Sequence, residues 1–131
     1  MQSYIQKQSY GSVTIFSKNE AVVEAALADL TGRLSRCPEV MTIVLFGSMA
    51  KGRASLDSDV DLLLVLSDHS QPFLERVALY RPDTFPTDID IFPYTLAEIA
   101  AGQPLAKEAL AYGRVLWQRP TVTRPETAEQ L

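Results

Sequence analysis

One cysteine and one histidine among 131 residues exclude an internal disulfide framework, and Cys37 has no Cys or His neighbour at metal-ligand spacing. A reducing, cytoplasmic setting is the expectation. Long apolar runs are missing as well: none approaches the ~18 residues a membrane span needs, and Met1 to Tyr10 lacks the apolar centre of a secretory signal. Nor is there an excess of positive charge. Lys and Arg number 12 against 16 Asp and Glu, a net charge of −4, with a pI near 4.9. That balance argues against extended nucleic-acid binding. Internal repeats and low-complexity segments are absent. What remains is ordinary globular material, 47% hydrophobic and 21% charged, enough for one packed domain.

Residues 12–16, Ser-Val-Thr-Ile-Phe, are β-branched and aromatic and predict a short edge strand. Ser17 and Glu20 have the spacing of a capping box that opens a helix. Val23, Leu27, Leu30 and Leu34 then fall on one face of that helix, and Pro38 ends it. Residues 41–46 are almost wholly apolar and predict a strand covered on both sides. A loop rich in Gly, Ser, Ala and charge fills 47–58. Residues 59–66 predict a second strand, polar at its start and apolar after. A short helix over 73–80, a third strand over 87–92 and a helix capped by Thr95 and Glu98 follow, with Gly102 as its stop. Residues 104–112 predict a further helix ending at Gly113, and 115–117 a last strand. The fold expected is α/β of the α+β type, a small mixed sheet with helices mainly on one face. Residues 1–118 form one domain and 119–131 an extended or disordered tail.

The informative stretch runs Leu45-Phe-Gly-Ser-Met-Ala-Lys-Gly-Arg-Ala-Ser-Leu-Asp-Ser-Asp-Val-Asp-Leu62. Gly47 has no Cβ, which permits a tight turn and close approach of a ligand to the backbone. Ser48 brings a hydroxyl and an amide that both donate to a phosphate oxygen, and a helical turn starting there would aim more N–H groups at the anion. Lys51 and Arg53 add positive charge nearby. Asp59 and Asp61, two apart on a strand, share a face ~6–7 Å from each other. Two such carboxylates repel unless a cation lies between them, and carboxylate with phosphate oxygen is the donor set magnesium prefers. Asp88 and Asp90 share one face of the third strand, and either can supply a third acid.

Two other motifs are approached and missed. A P-loop requires Gly-Lys-Ser/Thr, and here Gly52-Arg53-Ala54 stands in its place. An EF-hand start is suggested by Asp57, Asp59 and Asp61, but Leu62 occupies the position that needs glycine.

Gly47-Ser48 followed by Ser58-Asp59-x-Asp61-Leu62 resembles the signature of the DNA polymerase β-like nucleotidyltransferases, and within them the minimal nucleotidyltransferases of bacteria and archaea. The likeness extends from the helix before the first strand through Asp90-Ile-Phe-Pro-Tyr-Thr95 to Ala111-Tyr-Gly-Arg-Val-Leu-Trp117. It covers roughly residues 17–118. The resemblance implies transfer of a nucleoside monophosphate from an NTP, ATP first, with release of pyrophosphate. By motif, Gly47 and Ser48 hold the triphosphate and Asp59 and Asp61 bind Mg2+ or Mn2+. Asp90, followed by Phe-Pro-Tyr-Thr as in relatives, is the third acid, sharing a metal and taking the acceptor's proton. Two-metal chemistry of this kind is an in-line displacement at the α-phosphate. Minimal nucleotidyltransferases often pair with a helical HEPN protein as the antitoxin of a toxin–antitoxin pair, which points to such a partner, or a second copy of this chain, as the source of the acceptor site. The rival reading is an antitoxin that neutralises a HEPN ribonuclease by contact alone. Intact acids favour the enzyme, because a pure binder has no physical need for clustered like charge.

Overall fold

The computed structural model describes residues 12–47 and 60–120, with side chains from residue 20 onward. Helix α1 spans Ser12–Leu34. It therefore overrides both the strand expected at residues 12–16 and the cap expected at Ser17. No Pro or Gly interrupts residues 12–31, so the helix meets no breaker there, and the β-branched residues cost only tenths of a kcal/mol each. The Ser17–Glu20 spacing is simply an i, i+3 pair inside a helix. Val23, Leu27, Leu30 and Leu34 are all buried, as the periodicity predicts. Among the described residues no helix is long and apolar enough to cross a membrane.

Among the described residues four strands follow: β1 (Val40–Phe46), β2 (Val60–Leu66), β3 (Ile89–Thr95) and β4 (Arg114–Gln118). The sheet order is β3-β2-β1-β4. β1 is antiparallel to β2 and to β4, and β2 is parallel to β3. A mixed sheet results because helix α2 (Phe73–Tyr80) carries the chain back between β2 and β3, the crossover a parallel pair requires.

Each central strand contributes to two cores. On one side α1 packs over Ile43 and Leu45 of β1, Leu62, Leu64 and Leu66 of β2, and Ile89 and Ile91 of β3. On the other, Val44, Leu63 and Val65 meet Ala106 and Ala109 of α4 (Pro104–Tyr112). α1 thus covers one face, and small alanines let the shorter α4 sit close against the other. Cys37, in the turn after α1, packs at the edge of the first core, and burial pushes its thiol pKa up.

Two arginines tie the periphery down. Arg119 donates from Nε to the Val40 carbonyl and from Nη2 to those of Ser35 and Cys37, and it stacks on Trp117 with 4.9 Å between guanidinium and ring centre. It thereby satisfies carbonyls freed where α1 ends and the chain turns toward β1. Arg76 of α2 is 6% exposed and forks onto Glu98 at 2.8 and 3.0 Å. Glu98 belongs to α3 (Leu96–Ala100), whose capping box with Thr95 forms as expected. The Arg76 hydrogen bond is the largest cause that holds the Glu98 carboxyl down to about 2.

Candidate active site

β1 ends at Phe46, which stands opposite Asp61 in the antiparallel ladder. In the parallel ladder on its other side, Asp61 stands opposite Asp90. Register partners on neighbouring strands are ~4.8 Å apart, and their side chains leave the same face. The two carboxylates therefore project side by side from the start of β2 and β3. They share that face with Leu63, Val65, Phe92 and Tyr94, the residues two and four further on. Asp61 is half-buried and Asp90 exposed.

Gly47 is the next residue of β1's chain and has φ +85°, a left-handed conformation that favours glycine. A Cβ at this position would lie 2.5 Å from Asp61 Oδ2. The Asp61 carboxylate thus rests in the space that the missing side chain leaves. Behind the acids, the rings of Phe46 and Phe92 meet across β2 with centroids 5.6 Å apart and a 53° tilt. Phe46 stands opposite Asp61 and Phe92 opposite Leu63, and both rings pack against the core on this face. The Phe46–Phe92 partnership appears only once β1 and β3 are known to flank β2.

Asp59, Ser48, Lys51 and Arg53 lie outside the described residues. Among the described residues, no group of three His, Cys, Asp or Glu converges on one point. Asp88 is exposed, and its backbone carbonyl accepts the Val60 N–H at 2.9 Å, so it helps align β3 with β2.

The chemistry of the pair fits a hard divalent cation. Two carboxylates on adjacent strands offer only oxygen, and held this close they repel unless positive charge comes between them. A glycine whose missing side chain lets one of the acids lie against the turn fits the same use.

A mixed sheet that sets acids from parallel neighbours on one face, beside a positive-φ glycine at the end of the preceding strand, agrees with the arrangement expected from the nucleotidyltransferase resemblance. The polymerase β nucleotidyltransferase family model matches residues 29–121, and the chain belongs to that family. Among solved structures, a presumptive nucleotidyltransferase from Sulfolobus solfataricus aligns with a TM-score of 0.58 and 17% identity, over 86% of this chain and 94% of that one. This likeness establishes the shared fold. A mutant of the toxin–antitoxin pair MntA–HpeT aligns with a TM-score of 0.49 and 19% identity, over 73% of this chain and 72% of that one. No curated protein sequence matches the chain.

Proposed function

We propose that this nucleotidyltransferase moves a nucleoside monophosphate from ATP to a hydroxyl of a protein acceptor and releases pyrophosphate. The observation that carries the reading is the Asp61–Asp90 register pair with Gly47 pressed against Asp61. Asp59, Asp61 and Asp90 hold Mg2+ or Mn2+, which neutralises phosphate charge and stabilises the attacking and leaving oxygens when bound. Gly47 forms the turn at which the triphosphate binds beside Asp61, and the Ser48 hydroxyl and amide donate to its oxygens. Lys51 and Arg53 balance the remaining phosphate charge. Asp90, the more exposed acid, accepts the proton of the incoming hydroxyl at a carboxylate oxygen. The acceptor is a helical HEPN partner, with this chain as the antitoxin of the pair in the cytoplasm. Its support is the family resemblance in the sequence.

The test joins a binding measurement to a transfer assay. Calorimetry with ATP and Mn2+ is expected to show affinity reduced about tenfold or more by Asp61→Asn with Asp90→Asn. Equal nucleotide affinity in wild type, the double variant and chelator-treated protein contradicts the metal site. Labelled ATP incubated with a HEPN protein encoded beside this chain should label that protein. Neutralisation of the partner without label, by wild type and acid variants alike, would establish the contact-only antitoxin instead.

A further inference from the structure

β3 carries Asp90 at one border of the sheet, and among the described strands it pairs only with β2. The Asp88 carbonyl accepts from Val60 N–H, so the even-numbered residues of β3 turn their backbone groups toward β2. Ile89, Ile91 and Pro93 turn theirs outward. Proline has no N–H and is tolerated on this outward set. Its carbonyl faces the same way and needs a donor where it is buried. Arg76 Nη1 supplies one at 3.0 Å, in a buried hydrogen bond.

The same guanidinium reaches three further oxygen atoms. Nε donates to the Gln71 carbonyl at 2.8 Å, and the Nη1–Nη2 fork holds both oxygens of Glu98. Glu98 Oε1 in turn accepts the Thr95 N–H at 2.9 Å, at the last residue of β3. One side chain therefore grips β3 directly at Pro93 and, through Glu98, at Thr95. An ion pair with one partner buried and the other 39% exposed is a weak device for stability alone. A planar guanidinium with fixed donor directions is a good device for holding geometry.

We propose that Arg76 is a positioning residue for Asp90: by fixing the outer side of β3 at Pro93 and Thr95, it sets where Asp90 stands along β2 opposite Asp61. This rests on Asp90 being a metal-binding acid. The experiment is a Mn2+ titration of the full chain, followed by electron paramagnetic resonance well below the lowest melting temperature of the set. The set holds wild type, Asp90→Asn, Arg76→Met, Arg76→Lys, the Arg76→Met/Asp90→Asn double variant and Tyr80→Phe. Tyr80→Phe breaks the hydrogen bond from α2 to Glu39 without touching β3's outer side, and it controls for loosening of α2. Arg76→Met should weaken Mn2+ binding about tenfold. Arg76→Lys, which keeps the charge and loses the fork, should weaken it less. In the Asp90→Asn background Arg76→Met should add nothing, the non-additivity expected of two residues acting as one unit.

Additive losses in the double variant overturn the proposal, and so does a Tyr80→Phe loss equal to that of Arg76→Met. Unchanged affinity in Arg76→Met beside a clear loss in Asp90→Asn overturns it while leaving the metal reading intact. Unchanged affinity in Asp90→Asn removes the metal reading itself. If Arg76→Met does not fold, Arg76→Lys carries the test, with a smaller loss that Asp90→Asn abolishes.

Discussion

The two faces of the sheet are made by the same strands and do different work. Toward α1, β2 presents Val60, Leu62, Leu64 and Leu66, none more than 1% exposed. Toward α4, it presents Asp61 first and then Leu63 and Val65. β3 repeats the pattern, with Ile89 and Ile91 on the α1 side and Asp90, Phe92 and Tyr94 on the other. The period of two in a strand thus sorts one sequence into a continuous apolar layer and a layer that begins with acid. The lesson is that the acids cost the main core nothing: their like charge is carried on the face where α4 brings only two alanines.

The largest test of this division is Leu27→Ala. Leu27 is 2% exposed under α1, and its truncation should cost about 2–5 kcal/mol in urea unfolding. Mn2+ affinity of the protein that remains folded should not change. A loss of metal binding in parallel with stability would show that the two faces are not separable.

Gly47→Ala should give the opposite result. Left-handed φ on alanine costs about 1–2 kcal/mol, a modest fall in melting temperature. The added methyl meets Asp61 Oδ2 and must displace the carboxylate, so Mn2+ binding and transfer should fall further than stability does. A crystal structure of this variant with Asp61 unmoved and binding intact would remove Gly47 from the site.

The smallest effect is a pH dependence outside both faces. The Arg76 fork holds Glu98 down to about 2, below its ordinary 4.5. The folded protein resists protonation of this carboxyl more than the unfolded chain does. Its contribution is therefore complete above about 4.5 and drains away as pH falls toward 2. Wild type should melt above Glu98→Gln at neutral pH, and the gap should close through that acid interval. It should be small, because the Glu98 side chain is 39% exposed and screened by solvent. A gap that stays constant with pH would mean that the lost charge is not its source.

Local signals in the sequence were good guides wherever local physics decides. The helices at Phe73–Tyr80 and Pro104–Tyr112 and the Thr95–Glu98 cap lie where periodicity and capping chemistry put them. Local signals misled at residues 12–20, where β-branched residues suggest a strand and a Ser-x-x-Glu spacing suggests a helix start. Propensities of tenths of a kcal/mol do not outweigh an uninterrupted helix. The third strand was expected over 87–92 and runs over Ile89–Thr95. Pro93 reads as a stop until its place on a border strand, with its nitrogen outward, is known. At the site, two acids and a glycine were legible as residue types. Their arrangement was not: the Asp61–Asp90 pairing needs the β2–β3 register, and the Arg76–Glu98 fork joins residues too far apart in the chain for any spacing rule.

Pro93 also bears on how the protein behaves in a crowd. A border strand is a template on which another chain can add itself through free N–H and carbonyl groups. On β3 the position of Pro93 offers no N–H, and its carbonyl is already taken by Arg76. The sheet's opposite border, β4, has no proline between Arg114 and Gln118, and Val115 is 54% exposed. Among the described residues, strand addition is thus opposed at Pro93, on the border that carries Asp90, and no such block stands within β4.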